Sequence, residues 1–291
     1  MALPHYTPLA LRLWHYGFLV LCALVFLFLV APLVVIIPLS FNAGTYFTFS
    51  DAMLRLDPDA FSLRWYAEIF DPPNRPGVQG NEWFVAAWNS FFIAVIASAI
   101  ATALGTVAAL GLSRPEMPFR RALTALFLAP MVVPIVITAA GVFLFYSKLD
   151  LAYTYTGLIL AHAVLGTPFV VITVTAALTG LDASHVRASL SMGASPVTTF
   201  RRITVPLIAP GVITGALFAF FTSVDEVVVV LFMSAQDQIT IPRLMWGGIR
   251  QEITLTILAV ATIMILLSVC LLLTVEWLRR RNERYRGIRP S

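Results

Sequence analysis

Six long apolar stretches alternate with polar segments along the chain, and each is long enough to cross a membrane as a helix. An α-helix rises about 1.5 Å per residue and the hydrocarbon core of a bilayer is about 30 Å thick, so about 20 apolar residues suffice. The pattern predicts an all-α integral membrane protein in which residues 1–291 form a single transmembrane domain. Its six predicted spans lie at residues 17–39, 88–111, 121–146, 155–180, 207–234 and 253–278.

The composition strengthens this prediction. Hydrophobic residues make up 59% of the 291 residues and charged residues only 12%, whereas soluble domains are about 25% charged. The net charge of +4 would suggest nucleic acid as a partner of a soluble protein. Here the expected partner is the lipid bilayer, and no nucleic acid is expected. The amino-terminal apolar run exceeds the roughly 7–15 residues of a signal-peptide core, so we interpret it as a retained first span.

The basic residues are distributed unequally between alternate loops. Cytoplasmic loops of membrane proteins carry an excess of lysine and arginine, known as the positive-inside rule. The bias places both termini and the loop 181–206 in the cytoplasm. Thirteen of the 19 basic residues lie on that side: Arg12, Arg114, Arg120, Arg121, Arg187, Arg201, Arg202, Arg279, Arg280, Arg281, Arg284, Arg286 and Arg289.

Four residues within the spans are unusual for their position. Pro130, Pro134 and Pro168 each lack a backbone donor and favour a kink. Such kinks either surround a transport pathway or serve helix packing. His162 is the only histidine within a predicted span. It is interpreted either as a hydrogen-bonded interior residue or as a proton relay or ligand.

Two segments on the opposite side of the membrane mix charged and aromatic residues. In the segment 40–87, residues 63–70 are predicted to form a short amphipathic helix on the bilayer, or else part of a docking surface for an external protein. The segment 235–252 is either an interfacial turn or a lip over the transport cavity. Nothing in these segments indicates catalysis.

Two adjacent acids, Asp225 and Glu226, interrupt the fifth predicted span. Measured from Leu207 on an ideal helix, Asp225 lies about 27 Å into the span, a little past its middle. An ionised carboxylate near the bilayer centre costs at least about 2.5–3.5 kcal/mol, so its presence needs a reason. These acids are the candidate substrate-binding residues, because carboxylates facing an aqueous cavity would meet a cationic solute.

Two structural interpretations compete with that one. The acids could be ion-paired to Lys148, Arg243 or Arg250 at span ends, or to another subunit. Alternatively, Ser223 and Glu226 fit the S-x-x-E capping box, in which both side chains satisfy free amides where a helix restarts. Adjacent residues point about 100° apart on a helix, so one acid could bind solute while the other caps or packs.

The chain lacks the common signatures of nucleotide binding and hydrolysis. It contains no G-x-x-x-x-G-K-[ST], no H-E-x-x-H and no G-x-S-x-G. Energy for active transport would therefore come from a partner or from an ion gradient. In the second case the chain would be a secondary carrier with a proton or sodium site at Asp225 or Glu226. A membrane enzyme using both carboxylates as an acid and base is disfavoured, because adjacent carboxylates diverge on one helix.

A composite motif runs through the loop 181–206 and into the fifth span: Arg187-Ala188-Ser189, Gly193-Ala194-Ser195-Pro196, Phe200-Arg201-Arg202-Ile203-Thr204-Val205-Pro206 and Ala209-Pro210-Gly211. The glycine, the G-A-S-P run, the aromatic residue and the I-x-x-P ending resemble the cytoplasmic EAA loop of permease subunits of bacterial ABC importers. Arg187 and Ser189 stand where that family usually has glutamate and alanine.

The same loop residues suit a rigid element. Asp182 and Ser184 are suitable for starting a helix, and Gly193 permits a bend. Pro196 is suitable for starting a second short helix, and Pro206 marks the entry to the fifth span. A displacement of the loop would therefore reach the helix that bears the two acids without passing through a flexible linker.

The resemblance extends over nearly the whole chain. It is carried by residues 62–66, Asn89-Ser90, residues 223–228, Thr240-Ile241-Pro242 through Trp246, and Ile249-Arg250. These residues resemble the subclass of type I ABC importer permeases that import spermidine and putrescine. The resemblance implies a six-helix permease fold in the bacterial inner membrane, and a coupling role for Arg187, Ala188, Gly193, Ala194, Ser195, Pro196, Phe200, Arg201 and Pro206.

The resemblance also implies partners. In this family the loop is seated in a groove of a cytoplasmic ATPase dimer, a homologous permease subunit commonly completes a heterodimer, and an external binding protein delivers solute. This chain would then be a transporter subunit without enzymatic activity or a cofactor of its own, with ATP and Mg bound by the partner ATPase. The expected solute is a polyamine or a related small cation, with an opine or amino-acid derivative as the alternative.

Overall fold

The computed structural model describes residues 8–70, 82–114, 116–251 and 253–285, which are almost entirely helical. Part of the predicted segments 40–87 and 235–252 and of the basic tail, including Arg286 and Arg289, lies outside the described residues. The expected all-α class is confirmed. The helices are α1 (Leu9–Leu39), α2 (Asp51–Leu54), α3 (Arg64–Phe70), α4 (Glu82–Leu112), α5 (Arg120–Val132), α6 (Ile135–Ser147), α7 (Tyr155–Thr179), α8 (Ala183–Ser191), α9 (Pro196–Thr199), α10 (Val205–Asp225), α11 (Val228–Met233), α12 (Ile241–Gln251) and α13 (Leu255–Tyr285).

Five helical runs in the described chain are long and apolar enough to cross a membrane. They are Leu9–Leu39, Glu82–Leu112, Tyr155–Thr179, Pro196–Asp225 and Leu255–Trp277. The stretch predicted as one span at 121–146 is instead the pair α5 and α6, which bend by 104°. Counting that pair as one broken span gives six.

The bend between α5 and α6 has a local cause. Val133 is extended, with ψ of 135°, and Pro134 stands immediately before the first residue of α6. A proline disfavours helical backbone in the residue before it and cannot donate a hydrogen bond, so the helix ends there. Pro130 and Pro168, by contrast, lie within α5 and α7.

Backbone contacts divide the chain into two units, and its description as one domain stays a prediction. The first unit contains residues 8–70 and 253–265. Its connection after α1 is organised by Asn42, whose Nδ2 donates to the carbonyls of Tyr46 and Thr48 at 3.0 and 3.1 Å. Trp65 Nε1 donates to the Asn42 carbonyl at 2.7 Å. Trp65 and Ile69 of α3 are buried, so this face of the predicted amphipathic helix is not available to a bilayer.

The second unit contains residues 82–251 and 266–285, and its core is formed by α4, α7 and α10. Small residues let these helices approach closely. A methyl group added at Gly166 of α7 would lie 2.9 Å from Ala219 Cβ of α10, and one at Gly211 of α10 would lie 2.6 Å from Ala177 Cβ of α7. Neither position has room for a side chain.

One helical run joins the loop 181–206 to the two acids. It consists of α9, a π-turn at Phe200–Thr204 and α10, and it continues from Pro196 to Asp225. In the π-turn, the Val205 amide donates to the carbonyl of Phe200, five residues earlier. Pro206 follows directly and has no amide hydrogen with which to continue an α-helical ladder. The run therefore changes its hydrogen-bond pattern without a non-helical linker.

Candidate functional site

The fifth predicted span is interrupted at the two acids. The helix α10 ends at Asp225, α11 begins at Val228, and Glu226 has extended backbone with ψ of 120°. We refer to residues 225–227 as the helix break. A helix terminus leaves backbone groups without partners inside the helix, carbonyls at the end of α10 and amides at the start of α11.

Glu226 satisfies one of these amides. Its Oε1 accepts a hydrogen bond from the Val229 amide at 2.9 Å. The side chain therefore lies at the start of α11, where the positive end of the helix dipole favours an acid. Glu226 thus caps the start of α11, but not in the capping box predicted with Ser223, because it accepts from an amide that follows it.

The proposed capping partner Ser223 does something else. Its Oγ lies 2.7 Å from Nδ1 of His162 on α7, and both residues are buried. This bond ties α10 to α7 just before the helix break. His162 is therefore a hydrogen-bonded interior residue, and its Nε2 has no hydrogen-bond partner among the described residues.

Asp225 differs from its neighbour. Its side chain is exposed, whereas Glu226 is half-buried. Across residues 8–70, 82–114, 116–251 and 253–285, no ion pair joins either acid to Lys148, Arg243 or Arg250. Asp225 also has no hydrogen-bond partner for its carboxylate there. The intramolecular ion pair is therefore absent from the described chain.

The cations that were candidates for that pair are engaged elsewhere or lie apart. Arg243 Nη1 donates to the carbonyl of Ser234 at 3.0 Å and lies 3.4 Å from that of Ala235, next to the end of α11. Burial lowers the pKa of Arg243, although a guanidinium stays protonated at neutral pH. The Arg250 guanidinium lies 5.7 Å from the ring centre of Trp246.

The predicted coupling loop, residues 181–206, consists of two short helices at a bend. Asp182 precedes α8, and its Oδ1 accepts from the Ser184 amide at 2.8 Å, a bond that holds the pKa of this carboxyl below its usual value. Gly193 has a φ of +85°, which only glycine adopts freely. Pro196 begins α9 as predicted, with Ser195 Oγ accepting from the Thr198 amide.

A buried hydroxyl pair closes the bend of the coupling loop. Ser189 Oγ of α8 lies 2.9 Å from Thr199 Oγ1 of α9, and the two residues are only 5% and 3% exposed. Sequence reasoning missed this pair. The available signal was Ser189 itself, which stands where the EAA pattern has alanine.

The other candidate coupling residues lie on the surface or along the helical run. Arg187, Ala188 and Arg201 are exposed, and Phe200 is 39% exposed. Met192 and Val197 are further exposed apolar residues of the same loop. The loop therefore presents a mixed apolar and basic face. Its remaining candidates are Gly193, Ala194, Ser195, Pro196 and Pro206, which shape the bend and the run.

The coupling loop and the helix break are two separate sites. They occupy opposite ends of the 30-residue run Pro196–Asp225, which places them about 45 Å apart along an ideal helix. The structure brings Asp225 and Glu226 together at one end and residues 187–200 together at the other. The roles of both sets in transport stay predictions.

Comparison with known proteins covers nearly the whole chain. Residues 101–284 match the family described as "Binding-protein-dependent transport system inner membrane component". The chain is 29% identical over 260 residues to the spermidine/putrescine transport system permease protein PotC of Haemophilus influenzae, covering 89% of this chain and 95% of that protein. It is 31% identical over 283 residues to the putrescine transport system permease protein PotI of Escherichia coli (strain K12), covering 94% and 95%.

The fold also has a match among solved structures. A chain in the crystal structure of a bacterial ABC transporter involved in the import of the acidic polysaccharide alginate superposes with a TM-score of 0.66. The match covers 94% of this chain and 99% of that chain at 16% sequence identity. At that identity the likeness concerns the fold alone.

Proposed function

Because the chain belongs to the family of binding-protein-dependent transport system inner-membrane components, we propose that it imports a polyamine, spermidine or putrescine, by alternating access. The chain is an ABC importer permease with several membrane-spanning helices and the type I importer fold. Family membership also removes the reason to consider an ion-coupled carrier.

The observation that carries the proposal is the carboxylate of Asp225 at the helix break, which has no partner among the residues that the structure describes. An exposed acid facing lipid would cost at least about 2.5–3.5 kcal/mol near the bilayer centre. Its exposure in the single chain therefore favours a surface that faces water or a charged partner within the assembly. A protonated amine of a polyamine supplies the missing charge.

The helix break adds to the attraction for a cation. The carboxyl end of a helix carries about half a negative charge, and its last carbonyls lack partners within the helix. Asp225 is the last residue of α10, so the free carbonyls of the helix end and the carboxylate both attract a cation. At the start of α11, the carboxylate of Glu226 accepts a hydrogen bond from the Val229 amide and so offsets the positive end of that helix. We therefore assign the direct contact with solute to Asp225 and the support of the break to Glu226.

The names of the relatives support polyamine as the solute. PotC of Haemophilus influenzae is a spermidine/putrescine permease and PotI of Escherichia coli is a putrescine permease. The two matches cover 89% and 94% of this chain. The alternative, an opine or amino-acid derivative that carries an amine, would use the same acid.

The proposal includes three partners and an orientation. An ATPase dimer that binds ATP and Mg would receive the coupling loop in the cytoplasm, so that both termini are cytoplasmic as well. A homologous permease subunit would complete the membrane part, and an extracytoplasmic binding protein would deliver solute. The exposed apolar side chains of Met192 and Val197, in the same loop as the exposed Arg187 and Arg201, suit burial in a protein groove.

The test is uptake by the complete importer in proteoliposomes, with radiolabelled putrescine and spermidine, external binding protein and internal ATP. Asp225→Asn keeps the size of the side chain and removes its charge. We expect it to reduce uptake at least about tenfold, since loss of a desolvated charge contact is worth more than about 1.4 kcal/mol. Asp59→Asn is the matched control, because Asp59 is an exposed acid in the other unit.

Three outcomes would contradict the proposal. Uptake of both polyamines at the background rate by the unmodified importer would exclude them as solutes. A thermal-shift screen of the binding protein that selects an opine or amino-acid derivative would favour the alternative. Normal polyamine uptake by the Asp225→Asn variant would remove Asp225 from the solute site.

A further inference from the structure

The connection between α11 and α12 is held by side chains from distant parts of the chain. It runs from Ser234 to Thr240 and contains only one 3-10 turn, at Gln236–Gln238. Non-helical backbone at or near a membrane must find partners for its amides and carbonyls within the protein. In this connection the partners come from α4, from α7, from the residues just before α7 and from Arg243 of α12.

Two neighbouring residues of α4 bind the connection. Asn89 Nδ2 donates to the carbonyls of Asp237 and Ile239, at 2.9 and 3.0 Å. Ser90 Oγ accepts from the Ile241 amide at 2.9 Å. Asn89 and Ser90 are 2% and 4% exposed, so both side chains that hold the connection are buried.

A tyrosine of α7 reaches the same point. The Tyr155 hydroxyl lies 3.0 Å from Asn89 Oδ1 and 3.1 Å from the carbonyl of Asp237. Its ring also meets Phe92 of α4 edge-to-face, with centroids 5.9 Å apart. The carbonyl of Asp237 already accepts from Asn89, so Tyr155 is not needed merely to satisfy it. The hydroxyl instead fixes the position of both groups.

A fourth side chain belongs to the connection itself. Gln238 Nε2 donates to the Tyr153 carbonyl at 3.0 Å, and Gln238 Oε1 accepts from the Ala235 amide at 3.1 Å. The Tyr153 amide donates to the carbonyl of Met233, the last residue of α11. We call Asn89, Tyr155 and Gln238 the clamp.

The clamp lies one short helix away from the helix break. The helix α11 has six residues, about 9 Å, and three of them, Val229, Val230 and Met233, are at most 1% exposed. Glu226 holds the start of α11 and the clamp holds the residues after its end. A tightly packed helix of this length transmits a shift from one end to the other, because protein cores compress little.

We propose that Asn89, Tyr155 and Gln238 are positioning residues for solute recognition. They fix α11 against α4 and α7 and thereby set where Asp225 and Glu226 stand. This inference rests on the solute site proposed above at Asp225. None of the three residues needs to touch the solute, and their effect is exerted through the position of the helix break.

The first test measures the position of the helix break without using the solute. In the complete importer, Cys22→Ser and Cys270→Ser remove both native cysteines, and Asp225→Cys introduces a probe. The rate of reaction with a cationic methanethiosulfonate reagent is then measured. We compare Asn89→Asp, which removes both amide donors, and Tyr155→Phe, which removes only a hydroxyl, with Tyr146→Phe as the control. Tyr146 is a half-buried tyrosine of α6 whose hydroxyl has no hydrogen-bond partner among the described residues.

The expected results form a graded series. The labelling rate should change about fivefold or more with Asn89→Asp, about twofold with Tyr155→Phe and not at all with Tyr146→Phe, since misplacements near 1 Å alter reactivity strongly. With Asp225 intact, Tyr155→Phe should raise the KM for putrescine uptake while leaving the maximal rate nearly unchanged. Such a split separates positioning from a general loss of structure.

Two results would overturn the inference. One is labelling of the Asn89→Asp and Tyr155→Phe proteins at the control rate. The other is a lower melting temperature in Tyr155→Phe with unchanged labelling and KM, which would mean that the clamp only stabilises the fold. If Asn89→Asp does not assemble, Tyr155→Phe decides alone. Failure of the polyamine proposal would appear separately, as absence of uptake by the unmodified importer, and the labelling rates would still test the clamp.

Discussion

The helical run from Pro196 to Asp225 ends in two differently constructed regions. At one end, the coupling loop is built from contacts between residues close in sequence: Asp182 with Ser184, Ser195 with Thr198, and Ser189 with Thr199. At the other end, the helix break is surrounded by residues far away in sequence, such as His162, which bonds Ser223 across 61 positions. The loop is largely exposed, whereas three of the six residues of α11 beyond the break are buried.

The difference suggests different sensitivities at the two ends. An exposed element made of local bonds keeps its shape as long as its backbone conformation is allowed. A break held by buried long-range contacts depends on individual side-chain atoms, because buried polar groups that lose a partner are expensive. Four predictions test this contrast, beginning with the largest expected effect.

The largest effect is expected from Gly193→Val in the coupling loop. The φ of +85° at Gly193 is unfavourable for any L-residue by about 1–2 kcal/mol and worst for a β-branched one. Among the described residues, no atom beyond Gly193 and its two chain neighbours lies within 4 Å of an added Cβ, so the strain is in the backbone alone. We expect the ratio of putrescine imported to ATP hydrolysed to fall about tenfold or more. Asparagine tolerates positive φ better, so Gly193→Asn should lower this ratio much less. Equal falls in the ratio for both variants would contradict this account.

The next effect separates the two acids at the helix break. Glu226 acts as a hydrogen-bond acceptor for Val229, so Glu226→Gln should retain most of the uptake. Glu226→Ala should reduce uptake about fivefold, because loss of a helix cap costs about 1 kcal/mol. At position 225 the charge of the side chain matters, so Asp225→Asn should lose most of the uptake although it keeps the size of the side chain. Equal losses in Glu226→Gln and Asp225→Asn would show that both acids act through their charge.

A smaller effect on uptake is expected at the hydroxyl pair of the coupling loop, because its loss changes the stability of the loop and leaves the backbone at Gly193 and the two acids unchanged. Ser189→Ala leaves Thr199 buried without its partner, and Thr199→Val does the reverse, each destabilising the loop by about 1–3 kcal/mol. The double variant removes both polar groups and should be less destabilised than the sum. Hydrogen exchange of α8 and α9 in the assembled importer measures this. Strict additivity of the two single effects would mean that the hydroxyls do not interact.

The smallest effect concerns Asp182, which is fully exposed. Its bond to the Ser184 amide lowers its pKa in the folded protein, so the cap is present above the ordinary pKa of about 3.9 and is lost as pH falls through the lowered value. Exchange protection of α8 should therefore be constant near neutral pH and fall below about pH 4. Asp182→Asn should abolish this dependence, and a persisting transition would assign it to another group.

The coupling loop could be predicted from the sequence because its signals are local. The starts of α8 and α9 and the bend at Gly193 follow from a capping acid, a proline and a glycine within fifteen positions of one another. The end of α5 at Val133 is local as well, since Pro134 causes it. The sequence alone does not show that the third span breaks at Pro134. Pro130 and Pro168 are prolines in equally apolar stretches, yet the helices that contain them continue.

The helix break was predicted only in part. The sequence offers Ser223 as the cap partner of Glu226, but Ser223 prefers His162 on a neighbouring helix, and no spacing rule reveals such a contact. The clamp was missed for the same reason. Asn89 and Ser90 stood out only through their resemblance to a family, and the carbonyls that Asn89 binds are 148 and 150 positions away.

The π-turn at Phe200–Thr204 has a consequence for rotational phase. A turn closed by five residues rather than four accommodates about one extra residue, and one residue corresponds to about 100° around an α-helix. Deleting one residue from the turn would convert it to an ordinary helical turn. The face that the coupling loop presents would then point about a quarter of a revolution away from its present direction relative to α10. The π-turn thus sets the azimuth at which the membrane helix meets whatever binds that face.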